Sequence, residues 1–182
     1  MTSQIDPDVI EIAKSLADTA SEIGHKYFRL NPQIEKKIDG SPVTIADLEI
    51  ERALRQIIRE RYPDHGFYGE EEGHDNSEAE WLWVVDPIDG TKSFISGRPI
   101  FGTLIALVHN GTPILGVIDQ PVNGERWVGA TGIGTSYNGE ETKVRTCPSL
   151  SDAIAGTTAA DLFNAGQEEH WRKLASGAKH VV

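Results

Sequence analysis

Three Asn-Gly pairs, Asn110-Gly111, Asn123-Gly124 and Asn138-Gly139, constrain this chain more than any other feature of its sequence. Asn-Gly favours type I′ turns, whose central residues both need positive φ, and such turns join antiparallel neighbours. Strand-like runs stand around them: Trp81 to Val85, Phe101 to Val108, Ile114 to Ile118 and Arg126 to Ala130. The spacing predicts an antiparallel meander. Upstream, Val9, Ile12, Leu16, Ala20 and Ile23 recur at helical spacing over 8–29, and Ile50, Leu54, Ile57 and Ile58 do so over 44–61, stopped by Pro63. Two helices followed by a meander argue for an α+β fold and against a doubly wound parallel sheet.

After Ser151 the pattern changes. Ala153 to Thr158 reads as a strand start, Glu168 to Ser176 as a short helix, and His180 to Val182 as another strand beginning. Two domains are expected: 1–150, an N-terminal α+β lobe, and 151–182, the start of a C-terminal α/β lobe. Ending on bare apolar residues predicts that this second lobe is truncated.

Charge narrows the function classes. Lys and Arg number 17 against 28 Asp and Glu, a net charge of −11. That balance disfavours nucleic acid and anionic membrane as partners. It admits a small anionic substrate if divalent cations occupy an acidic site first. No apolar run has spanning length, and the polar, acidic start lacks a signal-peptide core, so a cytoplasmic location is expected. Cys147 is the single cysteine, which leaves no internal disulfide and no multi-Cys zinc site.

The sharpest chemistry lies in Asp86-Pro87-Ile88-Asp89-Gly90-Thr91. A strand delivers Asp86, and Pro87 is expected to end the ladder at once. Hard cations such as Mg²⁺ take oxygen ligands, and Asp86, Asp89 and the Ile88 carbonyl could face one pocket. Gly90 and Thr91 would open a short helix whose free amides suit phosphate. The competing reading makes Asp86 and Asp89 a turn and an N-cap. In Gly69-Glu70-Glu71-Glu72-Gly73, Glu70 follows the short strand Phe67-Tyr68 and could be held at its end, although a solvated acidic run is the default. Thr44 to Asp47 fits a capping box, with Asp47 able to serve as an outer carboxylate as well. Lys36 and Lys37 read as surface lysines, one of them able to face a phosphate. His65 and His74 flank the acidic strand end, and no histidine pair has metal-ligand spacing.

Together, Gly69-Glu70-Glu71, Asp86-Pro87-Ile88-Asp89-Gly90-Thr91 and the upstream Val43-Thr44-Ile45-Ala46-Asp47 resemble the inositol monophosphatase superfamily over essentially the whole chain. Phe94 to Pro99, Phe101 to Leu107, Leu115 to Pro121 and Gly124 to Trp127 look like its histidinol-phosphate phosphatase branch. The resemblance implies a layered α/β/α/β/α sandwich, usually dimeric. It implies two to three Mg²⁺ ions, with Glu70, Asp86 and the Ile88 carbonyl on the first and Asp86 and Asp89 on the second. Glu70, Thr91 and Asp47 would activate a water, and the Gly90 and Thr91 amides would hold the phosphate. A later aspartate of the C-terminal lobe would complete the second metal, but no aspartate follows Asp161.

The expected function is therefore hydrolysis of a small phosphate monoester, histidinol phosphate first and an inositol phosphate or other metabolite second. One competitor is an aspartyl-phosphate phosphatase, which uses aspartates at i and i+2, whereas Asp86 and Asp89 are three apart and would face opposite ways on a regular strand. Another is a non-catalytic binding or assembly module, since a missing C-terminal lobe would leave apolar sheet and helix surface uncovered and favour self-association.

Overall fold

The computed structural model describes residues 5–30, 33–37, 40–158 and 163–182. Two compact units divide it, Met1–Thr142 and Lys143–Val182.

The first unit opens with helix α1 (Pro7–Tyr27), capped by the Asp6 carboxylate, which accepts the Asp8 amide. Strands β1 (Ile34–Lys36) and β2 (Pro42–Thr44) pair antiparallel. Helix α2 (Ile45–Arg61) starts at Thr44 through the expected capping box, completed by Asp47. Strands β3 (Gly66–Gly69), β4 (His74–Asp75) and β5 (Trp81–Asp89) follow, then the short helix α3 (Thr91–Ile95). The meander closes the unit with β6 (Gly102–His109), β7 (Thr112–Gln120), β8 (Glu125–Ala130), β9 (Gly134–Tyr137) and β10 (Glu140–Thr142).

One sheet of eight strands runs β10-β9-β8-β7-β6-β5-β3-β4, so β5 to β10 form the meander that the turns predict. The exception to antiparallel pairing lies at the other edge, where β3 runs parallel to β5. That pairing is what sets Gly69 beside Val85, so that the next residues along the two chains, Glu70 and Asp86, fall at one end of the sheet. Two Asn-Gly pairs have positive φ at both residues, as I′ turns need: Asn110 and Gly111 (48° and 75°), and Asn138 and Gly139 (48° and 88°). The third differs. Only Gly124 has positive φ there, and β7 and β8 are joined by a longer loop after the Gln120–Glu125 pair. Asn123 instead donates its side-chain amide to Pro99 O and Gln120 Oε1.

Both long helices cover one face of the sheet. Leu16, Ala17 and Ala20 of α1 and Ile50, Leu54 and Ile58 of α2 meet Trp83, Val85, Ile105, Leu107, Leu115 and Val117 in a single core. Each large side chain buried there contributes roughly 1.5–3 kcal/mol. Trp83 is fully buried and its indole N–H donates to His65 Nδ1 at 3.1 Å, which makes His65 a packing partner of the core.

Strand β5 does not end at Pro87. It pairs Asp86 with Leu104 and then Asp89 with Gly102, so Pro87 and Ile88 together oppose Thr103. This is a β-bulge, the one place in a central strand where proline is tolerated. The extra residue shifts the alternation by one. Asp86 and Asp89, which would face opposite ways on a regular strand, pair with two residues of β6 that share a face. The buried Thr103 hydroxyl donates to Pro87 O at 2.8 Å and pins the bulge.

The second unit holds a 3₁₀ turn at Leu150–Asp152, strand β11 (Ile154–Ala155), helix α4 (Ala165–Gly177) and strand β12 (His180–Val181). Strands β11 and β12 pair in parallel, and Asn164 and Gln167 cap α4. Elements therefore fall where the strand, helix and strand were expected; Asp161 lies outside the described residues. Among the described residues, no helix is long and apolar enough to cross a membrane.

Thr103→Val should cost about 1–3 kcal/mol by leaving the buried Pro87 carbonyl unpaired. Urea unfolding checks this, with Thr103→Ser, which keeps the hydroxyl, expected to recover most of the loss.

Candidate metal centre

The acidic residues meet at the ends of β3 and β5. Glu70 follows β3, and its amide donates to Val85 O at 3.2 Å, which fixes its backbone beside Asp86. Asp86 is half-buried and its Oδ1 is fully buried without a partner. Burial, followed by the charges of Glu70, Asp89 and Glu71, pushes the Asp86 carboxyl up to about 8. Asp89 stands exposed three residues on, turned to the same side by the bulge.

Gly90 has φ 91°, the left-handed region where a side chain is strained, and it turns the chain into α3. Helical bonding there begins with Ser93 N–H to Gly90 O, at 2.8 Å, so the amides before it have no intrahelical acceptor. The Thr91 hydroxyl donates to Ile88 O at 3.1 Å. That bond leaves its lone pairs free and marks the Ile88 carbonyl as turned towards Thr91. No hydrogen bond joins Thr91 to Asp47 among the described residues. Asp47 is wholly buried, and its Oδ2 accepts the Thr44 amide (2.8 Å) and hydroxyl (2.6 Å). Its Oδ1 is buried without a partner, and burial raises its carboxyl above the ordinary value despite those two bonds.

Lys37, read as a surface lysine with the alternative that it or Lys36 faces a phosphate, is paired with the acidic residues themselves. Its Nζ lies 2.8 Å from Glu70 Oε1 and 2.8 Å from Glu71 Oε2. Burial works against its charge, but the bonds to both glutamates outweigh this and raise its basicity. Glu71 is not a solvated acid either: its side chain is 2% exposed, and burial raises its carboxyl against the pull of Lys37. Glu72 does point outward, paired with Arg52. The sequence reading also missed Glu51, whose buried carboxylate accepts the Glu71 and Glu72 amides. No local signal marks it, because its partners lie 20 and 21 residues away. His74 stacks on Tyr68 and has no place among these oxygens.

The donor set fits an oxygen-seeking dication. An orphaned buried carboxylate oxygen, neighbouring carboxylates close enough to raise it, and a carbonyl on the same turn are what Mg²⁺ binds. Among the described residues no three His, Cys, Asp or Glu side chains already close around one point, and one oxygen of Glu70 is taken by Lys37.

A sequence profile for the inositol monophosphatase family matches residues 6–176. The chain belongs to this family. Relatives include the bifunctional phosphatase IMPL2 of Arabidopsis thaliana, 48% identical over 92% of this chain and 49% of the relative. The histidinol-phosphatase of Chlorobaculum parvum is 41% identical over 76% of this chain and 53% of its own length. Among solved structures, an inositol monophosphatase from Zymomonas mobilis superposes with a TM-score of 0.83 at 45% identity, covering 96% of this chain and 67% of that one. The chain spans about half the length of the curated relatives it matches. As a member of the inositol monophosphatase family, it has the family's mixed α+β architecture, and the acidic strand ends described above lie within the matched segment.

A raised carboxyl stabilises the fold only while protonated. The Asp86 contribution is complete below its unfolded value of 3.8 and is lost as pH rises towards about 8. The metal-free protein should therefore lose stability over that window. Asp86→Asn should flatten the slope and raise the melting temperature more at pH 9 than at pH 5, as read by calorimetry in EDTA.

Proposed function

We propose that this chain carries the metal site of a Mg²⁺-dependent phosphomonoesterase. The observation that carries the reading is the meeting of Glu70 and Asp86 at the ends of parallel neighbours β3 and β5, with Asp86 Oδ1 buried and unpartnered. Glu70, Asp86, Asp89 and the Ile88 carbonyl would hold the cation, with two to three ions in the complete enzyme. When bound, Mg²⁺ supplies charge neutralisation for the phosphate and acidity for an attacking water.

The residues divide the remaining work. The free amides around Gly90 and Thr91 orient phosphate oxygens. The Thr91 hydroxyl donates to Ile88 O, and its lone pairs can accept from the water. Glu70 would take the proton from the water, and Asp47, whose Oδ1 is buried and unpartnered, would serve as an outer carboxylate. Displacement at phosphorus by water then needs positioning and charge neutralisation and no covalent phosphoenzyme.

Histidinol phosphate is the substrate favoured. A relative named histidinol-phosphatase is 41% identical, and a chain of net charge −11 suits a substrate whose organic part is a cation. An inositol phosphate is the second reading, favoured by the likeness to the Zymomonas inositol monophosphatase.

Phosphate release from both esters by the complete enzyme, with and without Mg²⁺, tests the proposal. Mg²⁺-dependent turnover of histidinol phosphate well above inositol phosphate is expected. Asp86→Asn should weaken Mg²⁺ by more than the 10–100-fold typical of residues that only support a ligand, and Glu72→Gln should leave it unchanged. Turnover without any divalent cation would overturn the reading.

A further inference from the structure

Glu51 lies one helical turn beyond Asp47 on α2, and its side chain is fully buried. Its Oε2 accepts the Glu71 amide at 2.7 Å, and its Oε1 accepts the Glu72 amide at 3.0 Å. Arg55, a further turn along, donates to Oε1 at 2.6 Å. Arg55 also lies over the Phe67 ring, 4.4 Å from its centroid, and donates onward to Gly73 O at 3.0 Å and to Asp75 at 2.8 Å.

The result is a clamp on the segment between β3 and β4. The Gly69 amide donates to Gly73 O, the Glu70 amide to Val85 O, and the next two amides to Glu51. Glu70 is thus held from β5 on one side and from α2 on the other. Gly69 leaves the room this requires, since a Cβ there would run into the Glu51 carboxylate.

A buried carboxylate is costly unless its oxygens are paired, and both oxygens of Glu51 are paired, to the Glu71 and Glu72 amides and to Arg55. Those bonds stabilise the fold, and they also fix the backbone immediately after Glu70, from which the Glu70 side chain starts.

We propose that Glu51 is a positioning residue that holds the backbone of Glu70 beside Asp86 and so sets the affinity of the site for a divalent cation. The inference rests on the reading of Glu70 as a cation ligand. Glu51 touches no cation; it acts through the Glu71 and Glu72 amides. Glutamine at this position keeps the length but replaces one acceptor oxygen with a donor facing an amide or Arg55, so the clamp opens.

Titrating Mg²⁺ and Mn²⁺ into the wild type, Glu51→Gln and Gly69→Ala by calorimetry tests this, with amide hydrogen exchange at residues 70–72 read on the same samples. Gly69→Ala keeps α2 intact and pushes on the carboxylate from the other side, so it serves even if Glu51→Gln folds poorly. About tenfold weaker cation binding with faster exchange at Glu71 and Glu72 is expected in both variants. Lower melting temperature with unchanged affinity in both would overturn the proposal and leave a structural role. Wild type that binds neither cation would overturn the metal reading and this inference with it. Wild type that binds the cations but hydrolyses no phosphomonoester would sink the phosphatase reading and leave the positioning role standing on its affinity result.

Discussion

Like charges crowded into a half-buried corner are the condition that the rest of this structure answers. Burial and the charges of Glu70, Asp89 and Glu71 all press on Asp86 at the ends of β3 and β5. Three kinds of relief are visible. A proton can neutralise Asp86, Lys37 bridges Glu70 and Glu71, and backbone amides point at Glu51 nearby. A divalent cation answers the same need more completely, because it binds ionised oxygens directly. The acidic corner is thus costly to the metal-free fold, and the proposed cation would relieve that cost.

The framework that creates the corner is ordinary packing. Helices α1 and α2 bury one face of an eight-stranded sheet around Trp83 and Val85, and that core fixes β5. The bulge at Pro87 and Ile88, tied by Thr103, then reverses the facing of Asp89. A regular strand would send one aspartate into the core and the other out. With the bulge, both carboxylates serve one side, and Gly90 carries the chain into α3 directly afterwards.

Much of this was legible in the residues. Helical spacing placed α1 and α2 within two residues of their ends, because amphipathic periodicity and the Thr44–Asp47 capping box are local signals. Asn-Gly chemistry predicted the meander and two of its turns. The parallel pairing of β3 with β5 was not legible, since it depends on which distant strand β3 finds. Pro87 was read as a strand end because the bulge that tolerates it needs Thr103 on another strand. Lys37 and Glu51 escaped for the same reason: a lysine near a turn and a glutamate inside a helix look solvated until the fold brings the acidic segment over them. The motif residues Glu70, Asp86 and Asp89 were legible as a set, while the groups that hold and neutralise them were not.

Convergence of these carboxylates on a cation is the claim on which the functional account stands. Anomalous diffraction from crystals grown in Mn²⁺ measures it directly. The account predicts an anomalous peak bounded by Glu70, Asp86 and the Ile88 carbonyl, with the Glu70 carboxylate drawn away from Lys37. Crystals that keep Glu70 on Lys37, with manganese absent from this corner, would contradict it.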